Sequence, residues 1–407
     1  MPLITELDLP VFDYTDETLR GDRFHATMEA LADRGWLASS PLAYFVLDRE
    51  AGSFFLRTRA ASFPGMEIAE LFGVQDGPLY EEMRRNVLHL DGDQHRRLRN
   101  LVNPAFTPRA ADRWRPAMRG FLAELLAGVE AGGRCEFVSA FAKPYPSLTI
   151  ATVMGAPLSD APRLHEWSNW IQRQFDAPSL MADRARIEQA VQEFYAYADE
   201  LLAARRATPG DDLISTLIAA EQDGDRLSDV ELVNLVLNVL VGGVDTTQSQ
   251  LAHTIRLLAQ HPDQWALVRD DPERWGPRAV EESLRYEPIT PFTARILREA
   301  VEFRDVTFPA GTIVMVSSFT ANRDGAGDDP GAFDIAVDRG GAKPLTFGAG
   351  IHYCLGANLA RAELQEALSF LATELRALEL DGEPAYESIH GIYGLAELSL
   401  RLNRARG

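Results

Sequence analysis

One long apolar helix constrains the fold more than any other feature of this sequence. The helix is predicted to start at Ser228 and to end near Gln260, just before Pro262. Ser228 followed three residues later by Glu231 is a capping box, which marks a helix start. About 32 residues at 1.5 Å each span about 48 Å, the width of a whole domain. Because the run LVNLVLNVLV is apolar nearly all round, the helix is expected to be buried at the centre of the fold.

The same helix carries groups that conflict with burial. Gly242 and Gly243 each cost about 1 kcal/mol relative to alanine inside a helix. A polar stripe near one face consists of Asn234, Asn238, Asp245 and Ser249. Conflicts of this kind between local stability and position tend to mark functional sites. The alternative is a kinked core helix in which Asp245 is buried and paired.

A second unusual stretch is the decapeptide Phe347–Gly356, FGAGIHYCLG, which contains Cys354, one of only two cysteines in the chain. A run of strong helix formers follows it, so the cysteine lies in a glycine-rich loop that leads into a helix N-terminus. The partial positive charge and free N–H groups of a helix N-terminus favour a thiolate. A single soft sulfur ligand suits one axial bond to an iron whose other ligands come from a macrocycle. The alternative is a buried structural cysteine beside a turn.

The loop resembles the heme-binding loop of the cytochrome P450 superfamily, F-G-x-G-x-H-x-C-x-G. The matching positions are Phe347, Gly348, Gly350, His352, Cys354 and Gly356. The helix segment Gly-Gly-Val-Asp-Thr-Thr, residues 242–247, resembles the oxygen-activation motif of the same family. These spacings make a chance match improbable.

The resemblance implies a mainly α fold with a minor β region. It implies one domain over 1–407, triangular and helix-rich, with the long central helix over the heme. The implied cofactor is heme b, with the Cys354 thiolate as axial ligand. Gly242 and Gly243 would let the flat cofactor approach, Thr246 would donate a hydrogen bond to bound O2, and Asp245 would supply protons through water.

Further cofactor contacts are implied at three cations. His95 and Arg99 are spaced i, i+4, so they share one face of a predicted helix. The resemblance assigns both to the heme propionates, and Arg295 becomes a third propionate partner. The alternative for the helix pair is an exposed basic surface, which better describes Arg96 and Arg97.

Glu282 and Arg285, spaced i, i+3, are implied to be a buried structural ion pair joined by a later arginine. Either Arg323 or Arg339 could be that partner, and the sequence leaves both open. The segments that would pass near the heme supply substrate-contact candidates: Ile289, Thr290, Phe292, Thr293, Ile392 and Tyr393.

Composition limits the classes of partner that the protein is expected to bind. A formal net charge of −20 argues against nucleic acid, which usually requires a basic face. The N-terminus has neither a secretory signal nor an apolar anchor, so we expect a cytoplasmic protein of the bacterial type without a membrane anchor. We also expect a monomer. A ferredoxin and its reductase are the implied electron donors, with Arg96, Arg97, Arg109 and Arg113 as candidate docking cations.

The predicted function is therefore a heme-thiolate monooxygenase that uses O2 and NAD(P)H to hydroxylate or epoxidise an apolar small molecule. One alternative is a peroxide-driven peroxygenase or decarboxylase, which would not need the Asp245–Thr246 pair. A second is a non-catalytic heme sensor or carrier, which would not need the polar stripe. The sequence does not identify the substrate, because the pocket segments are apolar and lack a distinctive polar group.

Overall fold

A computed structural model describes residues 1–129, 133–222, 224–341 and 343–404. The α-helices, in chain order, are α1 Gly21–Ala32, α2 Arg49–Arg57, α3 Gly65–Leu71, α4 Gly77–Arg85, α5 Gly92–Val102, α6 Pro108–Asp112, α7 Arg115–Ala127, α8 Pro144–Met154, α9 Ala161–Gln172, α10 Ala177–Ala207, α11 Leu213–Ala219, α12 Asp229–Gly243, α13 Asp245–Gln260, α14 Pro262–Asp270, α15 Pro272–Tyr286, α16 Ser318–Ala321 and α17 Ala357–Glu374. The strands are β1 Leu37–Ser39, β2 Tyr44–Val46, β3 Ala61–Ser62, β4 Arg134–Glu136, β5 Glu221–Gln222, β6 Asp225–Arg226, β7 Phe292–Leu297, β8 Val301–Phe303, β9 Val306–Phe308, β10 Ile313–Ser317, β11 Leu375–Leu380, β12 Ala385–Tyr386, β13 Leu395–Glu397 and β14 Ser399–Arg404.

These elements form two compact units whose segments alternate along the chain. The first unit contains Met1–Gly65, Glu281–Cys354 and Tyr386–Tyr393. The second contains the described residues of Met66–Val280, Leu355–Ala385 and Gly394–Gly407. Both the first and the last thirds of the sequence contribute to each unit.

The first unit is built on a five-stranded sheet in the order β1-β2-β10-β7-β3. Strand β10 pairs antiparallel with β7 and parallel with β2, and β3 pairs antiparallel with the other side of β7. One apolar cluster against this sheet is aromatic and includes Phe12, Phe24, Phe45, Phe292 and Tyr393. Ala349 of the cysteine loop belongs to a second apolar cluster, together with Val314 and Val316 of β10, so the sheet supports the loop directly.

The second unit is mainly helical, with a small sheet in the order β11-β14-β4. The predicted long helix is present with its predicted ends, but it is interrupted at Val244, which separates α12 from α13. Ser228 Oγ accepts a hydrogen bond from the Glu231 N–H at 3.4 Å, and the Ser228 N–H donates to Glu231 Oε2 at 2.8 Å. These two bonds are the capping box that the sequence predicts.

Length and apolarity alone would allow Asp229–Gln260 to cross a membrane. However, 67% of its most apolar 18-residue window is buried inside the protein. This degree of burial is typical of a core helix, which is apolar on each side that contacts a neighbouring element.

Candidate active site

The cysteine loop in the first unit is held by backbone geometry that requires glycine. Gly348 and Gly350 have φ values of +69° and +73°, which residues with a side chain rarely adopt. A Cβ at Gly350 would lie 2.7 Å from the carbonyl oxygen of Leu56. The Cys354 N–H donates to the Phe347 carbonyl at 2.9 Å, which closes the loop. The thiol of Cys354 is half-buried in this turn and is not part of a disulfide.

The other cysteine lies in a different environment. Cys135, on β4, is free and buried, and burial raises the pKa of its thiol to about 11. A neutral thiol is a poor metal ligand, because the thiolate is the species that binds. Cys135 is therefore a packing residue.

The Glu282–Arg285 pair lies in the first unit as a buried, two-pronged ion pair. Arg285 Nε and Nη2 each lie 2.7 Å from a Glu282 carboxylate oxygen. The third member is Arg339, whose Nη2 donates to Glu282 Oε1 at 2.8 Å. Arg323 instead donates to the Phe319 carbonyl at 3.0 Å and lies over that phenyl ring. The structure therefore selects Arg339 rather than Arg323 as the partner of the Glu282–Arg285 pair.

The ion-paired cluster fastens the irregular chain that precedes the cysteine loop. Arg285 donates to the carbonyls of Pro330 and Ala332, and Arg339 donates to the carbonyl of Asp328 at 2.7 Å. Burial by itself would raise the pKa of Glu282, but hydrogen bonds from Arg285 and Arg339 outweigh it and lower the pKa below its ordinary value. Glu282 is therefore an ionised anchor, and its role is structural.

The two glycines at the break between α12 and α13, in the second unit, have different surroundings. A Cβ at Gly242 would meet no atom within 4 Å, whereas a Cβ at Gly243 would lie 2.4 Å from Ile150 Cδ1. Gly243 therefore allows α12 to pack closely on α8. Gly243 thus has a packing role that the sequence does not predict, whereas a side chain at Gly242 would meet no atom of this chain.

Asp245 is buried at the first position of α13, where the positive end of the helix dipole favours a carboxylate. The Ser168 hydroxyl on α9 donates to Asp245 Oδ2 at 2.5 Å, and Asn169 Nδ2 lies 3.5 Å from Oδ1. The two α9 residues fix this carboxylate in one orientation. No motif in the sequence marks either of them.

Thr246 is half-buried beside Asp245. Its hydroxyl donates to the Gly242 carbonyl at 2.5 Å. With its proton engaged there, the hydroxyl presents lone pairs to other groups. In this geometry Thr246 is an acceptor, and the predicted donation to bound O2 would require its hydrogen bond to Gly242 to break.

The three predicted propionate cations lie in different units. His95 and Arg99 occupy one face of α5 in the second unit, where His95 is buried and Arg99 is half-buried. Arg295 lies in the first unit, buried on β7. Arg96 is exposed and pairs with Asp93, so it fits the surface interpretation.

Arg97 does not fit that interpretation. It is half-buried and forms ion pairs at 2.5 Å with Asp225 and with Glu231. Arg113 pairs with Asp211 at 3.0 Å. Both cations are already engaged by acids of this chain, so neither offers an uncompensated charge for docking.

Two of the six substrate-contact candidates belong to the core. Tyr393 is fully buried, and its hydroxyl accepts a hydrogen bond from the Gly21 N–H at 2.7 Å. Phe292 packs with ring centroids 5.1 Å from Phe45 and 5.7 Å from Phe12. These side chains complete the aromatic cluster, which corrects their assignment to the pocket. The half-buried candidates in the first unit are Thr290, Thr293 and Ile392, and Ile289 is buried.

Comparison with known proteins decides the family. The sequence model of the family described as "Cytochrome P450" matches residues 74–271 and 277–385. The chain belongs to the cytochrome P450 family. It is 35% identical to the luteothin monooxygenase of Streptomyces thioluteus over 98% of this chain and 97% of the relative. It is 39% identical to the erythromycin C-12 hydroxylase of Saccharopolyspora erythraea over 72% of this chain and 73% of the relative.

A solved P450 structure confirms the fold. The crystal structure of CalO2 has a TM-score of 0.89 with 31% sequence identity, covering 97% of this chain and 99% of that one. This protein is thus a P450 monooxygenase with the mainly α P450 fold, and its family cofactor is heme with a cysteine thiolate axial ligand.

The residues present fit that cofactor. The first unit offers the Cys354 thiol in a turn, where the backbone comes so close to Leu56 at Gly350 that a side chain is excluded. The second unit offers a histidine and an arginine on one face of α5 and, at Gly242, a helix surface without a side chain. Thiolate for iron and cations for carboxylates are the donor types that heme requires.

A cationic cleft lies beside the cysteine loop in the first unit. Its volume is about 510 Å³, and its lining includes Arg49, Arg57, Lys343, Gly350 and Tyr353. Close to it, Ile351 is an apolar side chain that is 57% exposed. The sequence does not point to this group of cations, because they come from α2 and from a segment almost 300 residues later.

A buried carboxyl in the second unit was also missed. Glu363 on α17 accepts a hydrogen bond from Thr247 Oγ1 at 3.3 Å. Burial raises the pKa of Glu363 well above its ordinary value, because hydrogen bonds from Thr247 and Thr149 only partly offset the loss of water. An acid in a predicted helix gives no signal in the sequence that it faces inward.

Proposed function

We propose that this P450 monooxygenase hydroxylates or epoxidises an apolar small molecule, with electrons that a ferredoxin and its reductase deliver from NAD(P)H. The observation that carries the proposal is the interrupted helix at Val244. It presents Gly242 and Thr246 on one accessible face while Asp245 is anchored from behind by Ser168. A non-catalytic heme carrier has no need for an oriented carboxylate and hydroxyl at such a break.

In this proposal Cys354 is the axial ligand. The heme, when bound, supplies O2 activation and the oxidising power for attack on a C–H bond or an alkene. Glycines at 348 and 350 hold the turn that presents the thiolate. The cluster of Glu282, Arg285 and Arg339 supports the chain that leads into this turn.

Protons reach the reaction through the chain's own polar groups. Asp245 is the proton-exchanging carboxylate, and the Ser168 hydroxyl, 2.5 Å away, links it to the interior of the second unit. Thr246 accepts a hydrogen bond from a water or another O–H group, because its own proton is engaged by Gly242. This pair favours O2 over peroxide as the oxidant, because peroxide brings its own protons.

His95, Arg99 and Arg295 are the proposed partners of the propionates. Charge-assisted hydrogen bonds between cations and carboxylates are roughly twice as strong as neutral ones. Arg99 and Arg295 stay charged at all physiological pH values. Thr290, Thr293 and Ile392, with Ile289, are the proposed substrate contacts of the first unit.

The cationic cleft is the proposed docking surface for the electron donor. Arg49, Arg57 and Lys343 would attract an acidic surface, and exposed Ile351 would supply an apolar contact beside the cleft. Opposite charges accelerate encounter and fix orientation, which suits a transient electron-transfer complex. We further propose that residues 1–407 form one cytoplasmic domain, since the segments of each unit alternate along the chain.

Two measurements test this function. Reduced protein under carbon monoxide should show the red-shifted Soret band of a thiolate–CO heme, and Cys354→Ser should abolish that band. A histidine-type spectrum in the wild-type protein would refute the proposal.

Thr246→Ala should keep heme and substrate binding but divert electrons from product to peroxide. Thr247→Ala is the matched control, since Thr247 is buried and bonds Glu363 instead. We expect the control to lower stability while the yield of product per NAD(P)H stays near the wild-type value. An unchanged yield in Thr246→Ala would exclude its role in proton delivery.

A further inference from the structure

One face of the long helix is accessible along a stripe. Between residues 232 and 259, the positions that are not buried are Asn238, Val239, Gly242, Gly243 and Thr246. Their spacing, i, i+1, i+4, i+5 and i+8, places them on a single face of a helix. The rest of this stretch is buried, so these five positions form its accessible stripe. Asn238 is its only polar side chain apart from Thr246.

The hydrogen bonds of Asn238 fix which way its amide points. Asn238 Nδ2 donates to the Asn234 carbonyl at 2.6 Å and lies 3.0 Å from Asn234 Oδ1. A backbone carbonyl can only accept, so the nitrogen must face it, and the amide oxygen must face the other way. Among the residues that the structure describes, none donates to Asn238 Oδ1. This oxygen is an oriented acceptor on the accessible stripe.

A buried network holds the acceptor in place. Asn234 Nδ2 donates to the Tyr195 hydroxyl at 3.0 Å and to the Glu82 carbonyl at 3.4 Å. Asn86 Nδ2 in turn donates to Glu82 Oε1 at 2.8 Å. The amides of Asn234 and Asn238 point the same way, and amides in series polarise one another. Elements α4, α10 and α12 thus support one amide oxygen.

We propose that Asn238 determines substrate specificity by accepting a hydrogen bond from a hydroxyl group on an otherwise apolar substrate. This inference rests on the proposed function and narrows its substrate class to hydroxylated molecules. Asn238 precedes Thr246 by eight residues, so the two lie about 12 Å apart along the helix. The substrate hydroxyl is therefore about 12 Å from the carbon that is oxidised beside Thr246. A substrate without a donor leaves a desolvated acceptor unpaired, which disfavours its binding.

Matched pairs of alcohols and their methyl ethers test the proposal in the heme-loaded protein. The probes are tetradecanol, cyclopentadecanol and androstanol, each with its methyl ether, and the readout is the dissociation constant from the substrate-induced Soret shift. Loss of one hydrogen bond to a desolvated acceptor corresponds to roughly 10-fold in affinity. We expect at least one alcohol to bind about 10-fold more tightly than its ether.

Three variants test whether Asn238 causes the tighter binding of the alcohol. Asn238→Leu should remove it by weakening the alcohol and leaving the ether unchanged or tighter. Asn238→Ala also lacks the acceptor and should also remove the preference, whereas a pure packing role would make the leucine and alanine variants differ. Val239→Ala, on the same stripe without a polar group, should change the affinity of alcohol and ether equally.

The outcomes separate this inference from the proposed function. Equal binding of alcohol and ether in every pair, or a preference that survives Asn238→Leu, would overturn the role of Asn238 while the thiolate–CO band stays intact. A missing thiolate–CO band would overturn the proposed function. If the thiolate–CO band is present but none of the six probes shifts the Soret band, both the apolar pocket and this inference would be overturned.

Discussion

The adjacent glycines at the helix break should respond oppositely to the same substitution. In a helix, alanine is favoured over glycine by about 0.5–1 kcal/mol, and this gain applies at both positions. At Gly242 the new Cβ meets no atom within 4 Å, so Gly242→Ala should stabilise the protein. At Gly243 the Cβ would lie 2.4 Å from Ile150 Cδ1 and 3.0 Å from its Cγ1.

The collision at Gly243 is costly because Ile150 cannot easily move. Its side chain is fully buried on α8, and forcing an extra methyl into a packed core costs about 1–3 kcal/mol. The propensity gain is the same in both variants and cancels in their comparison. Gly243→Ala should therefore be about 1–3 kcal/mol less stable than Gly242→Ala.

The assay compares thermal midpoints of the heme-free proteins, because a Cβ at Gly242 would lie on the side proposed to face the heme. One scan rate is used, because unfolding of large proteins is often irreversible. Ile150→Val removes Cδ1 and costs about 0.5–1.5 kcal/mol by itself. Combined with Gly243→Ala it should relieve most of the collision, a coupling of about 0.5–3 kcal/mol. Equal midpoints for the two alanine variants, or no relief from Ile150→Val, would refute the packing argument.

Three other substitutions test the buried polar groups. Glu282→Gln leaves two buried arginines without their carboxylate and should cost about 3–5 kcal/mol. Since the pKa of Glu282 is lowered, the wild-type advantage should hold above about pH 4.5 and fade in more acidic urea titrations. Burial raises the pKa of Glu82 to about 7, so its contribution to stability is lost as pH rises from about 4.5 through 7. Glu82→Gln should therefore gain about 3 kcal/mol on wild type between pH 5 and pH 8, and parallel pH profiles would contradict this. Ser168→Ala should free Asp245 and lower product per NAD(P)H several-fold with the thiolate–CO band intact, whereas an unchanged yield would remove Ser168 from the proton path.

The sequence by itself determined the features that depend on neighbours a few residues apart. The helix start follows from Ser228 and Glu231, which are three residues apart and bond each other's backbone. The cysteine turn follows from glycines whose positive φ excludes other residues. The family motifs are of this kind as well, which is why the fold and the reaction class could be predicted and were confirmed by the comparisons.

Only the tertiary structure decided which distant groups meet. It joined Arg339 rather than Arg323 to Glu282, and it assigned Gly243 to packing against Ile150. No local rule distinguishes those candidates, since two arginines or two glycines have the same propensities and differ only in what packs against them.

The candidate site shows the same division. The spacing of Asn234 and Asn238 predicts a polar stripe, but only the packing of α4 and α10 leaves one amide oxygen oriented and available. The sequence likewise offers Phe292 and Tyr393 as pocket residues, and only the aromatic cluster around them makes them core. Helix geometry is encoded within four residues, whereas burial depends on contacts between segments hundreds of residues apart, and burial decides which polar atoms can act.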